Sequence, residues 1–511
     1  MSGKLFKIFL IILLLEAFLI AYSFFSPKIN LPFLNDKDIE IKFIELDDLM
    51  DFSYNKVNLV ADSLIAGYLK KDSVQQKDST KIKNILKNRE IVAGILENKS
   101  ESDTAKKAVK PKTDVKLPFE EPTNNLIALI NQEHNGKCAL DAFFNALTHH
   151  KDTSILRIAH YGDSQLEGDR VTSYIRRRFQ EKFGGSGIGF VPCTDITSHV
   201  NLRRYESSNW KRYTVFKNKY KNGNYGVSGT VFRFTNNNYK QNPWLKFDMY
   251  KFVSYQSISI LYGNALTECI VNTYNLNKEK ICSDTLPITK SFTIQKLKVP
   301  SSQRSVKFEF IADNSPDFYG FLIEGENGVQ VDNYAIRGHS GTGLMDIDSD
   351  YLAKQIKLLN TRLIIFQFGA NVVPYITSNN KCKQLEEKYY ELFMKFKAAA
   401  PNASILVVGA GDMATYIHGK FQSYPFLPKI RDAQKNAALR AGCAFWDLFE
   451  VMGGMNSIIA WTNKGLTAKD GHLYDKGRRI IAKELFDDLM DEYNTYLLKQ
   501  QQLISDAEGN Q

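Results

Sequence analysis

Three side chains that could carry acyl chemistry stand far apart in a chain of 511 residues. Ser164 lies in Tyr161-Gly-Asp-Ser-Gln165, where a glycine before the serine permits a tight turn that lifts the hydroxyl clear of a sheet edge. A serine hydroxyl needs a general base to become a nucleophile, and a carboxylate near that base fixes its tautomer. Thr467-Ala-Lys-Asp470-Gly-His472-Leu473 offers both, just ahead of the last helical stretch. Asn371, in Gly369-Ala-Asn371, could donate its amide N–H to a developing oxyanion. Between serine and asparagine runs Arg337-Gly-His-Ser-Gly341-Thr-Gly343, a glycine-rich loop with free backbone donors. Each piece alone has a plain structural reading. Gly-Asp-Ser is a good turn or helix cap, asparagine is a common turn residue, and a loop histidine is ordinarily just solvated. Their joint occurrence is the signal.

The elements that must gather these residues are legible as an α/β alternation. Ile155-Leu-Arg-Ile-Ala-His160, Leu363 to Phe368, Ile405 to Val408 and Ala444 to Asp447 read as short buried strands. Val171, Ile175 and Phe179 recur every four residues and predict a helix that Phe183-Gly184 ends. Leu385, Tyr389, Leu392 and Phe396 predict a second helix, and Ile481, Leu485, Leu489 and Tyr493 a closing one. Such alternation argues for a parallel sheet covered on both faces, with ligands at the carboxyl ends of its strands. Between 205 and 328 the period changes to two, as in Ile258-Ser-Ile260-Leu-Tyr262 and Val306-Lys-Phe308-Glu-Phe310. This predicts an all-β sandwich inserted in the α/β domain, whose parts are 124–204 and 329–500, with a flexible tail at 501–511.

Composition excludes whole classes. Hydrophobic residues make up 43% and charged residues 24%, so the chain is neither collagen-like, nor wholly disordered, nor a multi-span membrane protein. The formal charge of +10 is spread too thinly to mark a nucleic-acid surface. Leu5 to Phe25 is nearly all apolar, behind Lys4 and interrupted by Lys7 and Glu16, which leaves two readings for 1–27. It is a membrane anchor, which its length favours, or a cleaved signal peptide with Ala21 and Ser23 before the cleavage site. Either exports the rest of the chain. Residues 28–123, rich in Lys, Asp, Ser and Thr beyond Lys70, are expected to be largely a flexible tether. Six cysteines form no C-x-x-C pair; Cys269 and Cys282 are the most natural local disulfide, and free thiols are the equal alternative. His134, His149, His150, His199 and His418 lack ligand spacing, so no metal or cofactor is expected. Trp210 and Trp244 could stack on sugar rings, though aromatic residues in a sandwich usually fill its core. Ser340 beside His339 is a rival nucleophile that lacks a glycine elbow at the required spacing.

In order, Gly162-Asp-Ser164, the glycine loop, Gly369-Ala-Asn371 and Asp470-Gly-His472 resemble the SGNH, or GDSL-type, hydrolases, serine esterases on a flavodoxin-like sheet. Arg157-Ile-Ala-His-Tyr-Gly-Asp-Ser-Gln-Leu-Glu-Gly-Asp-Arg170, with Ala444-Phe-Trp-Asp447, Met452-Gly-Gly454 and Trp461, is similar to the branch that contains bacterial peptidoglycan O-acetylesterases. That branch also carries an inserted sandwich similar to carbohydrate-binding modules. The resemblance spans about 124–496. It implies Ser164 as nucleophile, His472 as base, Asp470 as its orienting carboxylate, and an oxyanion hole from the Ser164 and Gly341 N–H groups and the Asn371 side chain. Gly341 is preferred to Gly338 on the branch's Gly-x-x-Gly spacing. Two departures stand out: the aspartate precedes the histidine by two residues instead of three, with Lys469 in the usual place, and Gln165 replaces the leucine or histidine of many relatives. The first leaves open whether Asp470 reaches the ring or a backbone carbonyl holds it; the second is expected to alter the pocket wall more than the chemistry. The implied activity is removal of small acyl groups, acetyl first, from an envelope polysaccharide such as peptidoglycan, by a membrane-tethered extracytoplasmic enzyme without cofactor. An O-acyltransferase and a non-catalytic polysaccharide-binding protein are the alternatives.

Overall fold

The computed structural model describes residues 128–509, apart from 135, 150–152, 221–222 and 236–241. The expected anchor at 1–27 and the whole of the expected tether at 28–123 lie outside the described residues. Among the described residues, no helix is long and apolar enough to cross a membrane.

Six strands make the central sheet: β1 (Leu129–Ile130), β2 (Ile155–Gly162), β3 (Gly328–Ala335), β4 (Thr361–Gln367), β5 (Ser404–Val408) and β6 (Ala444–Trp446). Their order is β1-β6-β5-β4-β2-β3, with β2 to β6 parallel and the short β1 antiparallel on the β6 edge. Counted among the five parallel strands alone, this is the flavodoxin-like order, whose ligand crevice lies where the winding reverses between β2 and β4. The strands are apolar on both faces because both faces are covered. Leu156, Ile158, Leu363, Ile365, Leu406, Val408 and Trp446 join one core, while Ala159, Tyr161, Ile364, Phe366, Ile405, Val407 and Phe445 join the other. Over the first face lie α1 (Asp141–His149), α2 (Thr172–Phe183) and, further along the chain, the closing helix over Asp475–Gly509; over the second lie α3 (Ser349–Leu358), α4 (Asn379–Ala399) and α5 (Leu427–Arg440). Two short helices, α6 (Leu448–Met452) and α7 (Ser457–Asn463), precede the closing helix, α8.

The β-rich region consists of two antiparallel sheets. One holds strands 293–296, 257–263, 317–324, 230–234 and 210–214; the other holds 280–286, 269–274, 305–311, 244–249 and 202–206. Phe232, Ile260 and Phe321 from the first pack against Phe247, Val271 and Phe308 from the second, with the Phe247 and Phe321 rings 4.9 Å apart. Pairing starts earlier than the expected boundary at 205. Gly187–Val191 pairs with Asp317–Glu324, and Leu202–Glu206 with Trp244–Met249. The run Gly185-Ser-Gly-Ile-Gly189 hid the first of these strands, since glycine is a poor strand former that marks close backbone approach: a Cβ at Gly187 would lie 2.3 Å from the Ile323 carbonyl.

The structure also decides between the alternatives at the cysteines and tryptophans, and it corrects the expected tail. All six cysteines are free. Cys269 faces Leu286 across the hairpin and Cys282 faces Thr273, so the two are out of register for a disulfide. Helix α8 runs on to Gly509 through the segment expected to be a tail, where Gln500-Gln-Gln-Leu-Ile are competent helix formers. Trp210 belongs to the sandwich's aromatic cluster, edge-on to Phe234, Phe310 and Phe318, with its indole N–H donating to the Trp244 carbonyl. Trp244 is half-buried under the Lys307 ammonium.

Candidate active site

The parallel register sets the five strand ends level. Gly162 is paired with both Ala335 and Gln367, Gln367 with Val408, and Val408 with Trp446. The loops that follow β2, β3 and β4 therefore open side by side and carry Ser164, Gly341 and Asn371 in turn. Gly162 has no room for a side chain, since a Cβ there would come within 2.5 Å of Leu166 and 3.0 Å of the Gln367 carbonyl. That close packing turns the chain sharply and leaves Ser164 at the rim.

The structure brings Ser164, His472 and Asp470 together. Ser164 Oγ is 2.8 Å from His472 Nε2, and His472 Nδ1 is 2.9 Å from Asp470 Oδ2. A carboxylate only accepts, so Nδ1 carries the proton and Nε2 is left to accept from the serine hydroxyl. The two-residue spacing between aspartate and histidine is enough, because Gly471 adopts φ +85° and folds the carboxylate back. Asp470 Oδ1 also accepts the His472 backbone N–H at 3.1 Å. Partial burial pushes the Asp470 carboxyl up, but the bonds from the His472 backbone and ring outweigh it, and the group lies below the usual carboxylate range. The relay is open to solvent: the His472 side chain is 51% exposed and that of Asp470 67%.

Asn371 ties the other two loops to this relay. Its Nδ2 donates to Asp163 Oδ2 at 2.8 Å and to the His339 carbonyl at 3.2 Å. Both partners are acceptors, so both amide hydrogens are in use. Asp163 also accepts the Gln165 N–H, and burial pushes its carboxyl up to about 6 against these bonds. Gly341 is a position only glycine fills easily, with φ +91° and the Phe368 ring 2.7 Å from a built Cβ. Tyr389 donates to the Ser340 carbonyl and Arg337 grips the buried Glu167, which together hold the glycine loop against the serine turn. Among the described residues, the Ser164 and Gly341 N–H groups donate to no protein acceptor. The rival Ser340 hydroxyl pairs with Thr342, not with a base. His339 is wedged against Phe216 and Phe368, and burial lowers its imidazole to about 4.

Sequence reading missed what Gln165, Glu167 and Asp169 do. Gln165 bonds the backbone on both sides of His472, and Glu167 holds Arg337. Asp169 collects Arg176, Thr172 and Asn201, which fixes the turn to α2. A cavity of about 40 Å³ lies beside Gln165, bounded by Asp163, Phe368, Ala410, Met413 and Leu473 among others; neither Ser164 nor His472 lines it. A larger one of about 470 Å³ lies at the amino-terminal ends of β5 and β6, by Ser404 and Cys443, remote from this chemistry. Among the described residues, no three His, Cys, Asp or Glu side chains converge as a metal site requires.

No family model matches the sequence, and no curated protein matches it either. Among solved structures, a peptidoglycan O-acetylesterase superposes with a TM-score of 0.57 at 20% identity, over 70% of this chain and 96% of its own. An acetyl xylan esterase aligns over 31% of this chain and 80% of its own, with a TM-score of 0.25 and 15% identity. A family two carbohydrate esterase from Clostridium thermocellum aligns over 50% and 93%, with a TM-score of 0.25 and 10% identity. The first of these establishes a shared architecture: the chain has the SGNH-hydrolase fold.

Proposed function

We propose that this protein is a serine esterase that removes acetyl groups from an envelope polysaccharide such as peptidoglycan, held at the membrane by Leu5 to Phe25 with the folded part outside the cytoplasm. The observation that carries the reading is the unbroken relay from the Ser164 hydroxyl through the His472 ring to Asp470, at 2.8 and 2.9 Å. In this reading Ser164 Oγ attacks the ester carbonyl as its proton passes to His472 Nε2. The oxyanion meets the Ser164 and Gly341 N–H groups. Asn371 becomes the third donor by giving up its longer bond, the one to the His339 carbonyl. Each such donor typically contributes about 3–4 kcal/mol to the barrier reduction. The imidazolium then protonates the departing sugar oxygen, which leaves as a hydroxyl, and an acetyl-serine remains. Water, deprotonated by His472, releases acetate and restores the serine.

Two observations support the substrate class. The relay stands at an open rim that a polymer can cross. The fold is shared with a peptidoglycan O-acetylesterase. The apolar amino-terminal run supports the membrane location. The same relay would serve an O-acyltransferase, with a sugar hydroxyl in place of water. The test is to give the full-length chain nitrophenyl acetate and O-acetylated peptidoglycan, with and without a sugar acceptor, beside Ser164→Ala. Free acetate that disappears in the variant is the expected result. Acetyl transferred to the acceptor would make it a transferase, and glycan binding without turnover would make it a binding protein.

A further inference from the structure

Gln165, next in the chain to Ser164, reaches across to the histidine loop. Its Nε2 donates to the Gly471 carbonyl at 2.9 Å, and its Oε1 accepts the Leu473 N–H at 3.2 Å. The two partners have opposite hydrogen-bonding sense, so one orientation of the carboxamide satisfies both, and neither an apolar nor a carboxylate side chain could. They are also the backbone groups on either side of His472. Gly471 and Leu473 are buried, whereas the histidine between them is exposed.

Most of the remaining bonds of this loop shape it without placing it against the serine turn. Ala468 N–H donates to the His472 carbonyl, Gly471 N–H to the Ala468 carbonyl, and Tyr474 N–H to the Leu466 carbonyl, while Thr467 bridges Leu473. All of these are internal; bonds that leave the loop, between Thr467 and Thr462, from Leu466 N–H to the Trp461 carbonyl and from Lys469 to the Tyr416 hydroxyl, run to α7 and to strand 414–417 instead of the serine turn. Among the described residues, the hydrogen bonds joining loop 466–474 to the serine turn are the Gln165 pair and the Ser164–His472 bond itself. The Leu473 side chain sits in the core and anchors one end, but it does not set the position of the Gly471 peptide.

We propose that Gln165 is a positioning residue, which clamps the main chain on both sides of His472 and thereby keeps the imidazole within reach of Ser164. This rests on the reading of Ser164 and His472 as nucleophile and base. The clamp and the nucleophile share one turn, so they move together, and Gln165 acts beside Asp470, which holds the ring itself, in setting the distance between hydroxyl and ring.

The test compares Gln165→Met, which keeps the bulk and loses both bonds, with Gln165→Glu, which keeps the acceptor for Leu473 and sets a carboxylate against the Gly471 carbonyl. Hydrolysis of nitrophenyl acetate is measured on the full-length chain, with active sites counted by fluorophosphonate titration. For Gln165→Met, kcat per titrated site is expected to fall about 10- to 100-fold with KM within about twofold, the cost of a base displaced by a fraction of an ångström. Gln165→Glu should lose less, and its kcat/KM should show an acidic limb moved to higher pH, because the added carboxylate favours a protonated imidazole. A purely structural role would lower the count of active sites or the melting temperature and leave both readouts alone. If Gln165→Met does not fold, Gln165→Glu decides by itself. Wild-type kcat per site and an unmoved limb, in a protein that Ser164→Ala inactivates, would overturn the clamp and leave the esterase standing. A wild-type protein whose turnover does not depend on Ser164 would overturn both.

Discussion

Asp470 performs two tasks with one carboxylate, holding the His472 ring through Oδ2 and its backbone N–H through Oδ1. The first sets the tautomer and the second the rotation of the loop, so Asp470→Asn disturbs both, leaving an amide that offers its own hydrogens to Nδ1–H. Where such an aspartate is buried, the change costs about 10⁴ in kcat. Here solvent reaches the pair, water can substitute in part, and kcat/KM is expected to fall about 10- to 100-fold at pH 8. A value within twofold of wild type would mean that something other than Asp470 orients the ring. Because this carboxyl lies below its ordinary range, it is ionised throughout the pH range above about 5 and adds no limb of its own there. The three relay residues were legible in the sequence because their chemical types are rare in that order. Gln165 was not, because its partners are backbone atoms about 300 positions away, which no residue type announces. Asn371 was legible as a member of the site, but its two hydrogen bonds, to Asp163 and to the His339 carbonyl, were not.

At the scale of elements, helices α2, α4 and α8 were readable from apolar spacing, since each buries one stripe. Strand β3 was not. Gly328-Val-Gln-Val-Asp-Asn-Tyr-Ala335 alternates like a half-exposed sandwich strand, yet it lies nearly buried on the edge of the parallel sheet. Its polar residues are paired inside: Asp332 with Arg157, and Asn333 with the Leu166 carbonyl and Thr172. A similar internal polar group gives α8 its pH response. Asp488 accepts from the Trp446 indole at 2.6 Å, and burial, with Glu484, Asp491 and Asp487 nearby, raises its carboxyl to about 6. A carboxyl raised in the folded state favours the fold below about pH 4 and loses that contribution as pH rises through 6. Asp488→Asn keeps an acceptor for Trp446 and removes the charge. It should therefore add about 1–2 kcal/mol at pH 8, discounted for partial exposure, with the gain vanishing near pH 4. Thermal melts of both proteins across that range check it; equal melting temperatures at pH 8 would refute the account.

Across the whole molecule, the sandwich is not a freely hinged attachment. Strand 317–324 of the insert runs directly toward β3, and one buried arginine binds the two parts. Arg157 on β2 donates to Asp332 on β3 at 2.9 and 3.1 Å and to Glu324, the last residue of the insert's strand, at 2.7 Å. All three side chains are at most 10% exposed. Removing the cation would leave two buried carboxylates without a counter-charge, Asp332 keeping only the Phe190 N–H and the Tyr334 hydroxyl, a loss of about 3–5 kcal/mol for buried pairs of this kind. Arg157→Met is the informative change, because it preserves much of the stem's packing and deletes only the charge. Burial already raises the Glu324 carboxyl, with Arg157 pulling it back, so without the arginine it rises further and the fold can be relieved by protonation. The deficit should consequently be largest near pH 8 and shrink toward pH 5, where Glu324 can take up a proton. Urea unfolding of wild type and variant at both values measures it, and should give one transition, since the pair ties sheet and insert into a common cooperative unit. Two separate transitions in the wild type, or a deficit independent of pH, would show that the insert folds by itself and that Arg157 does no more than fill space.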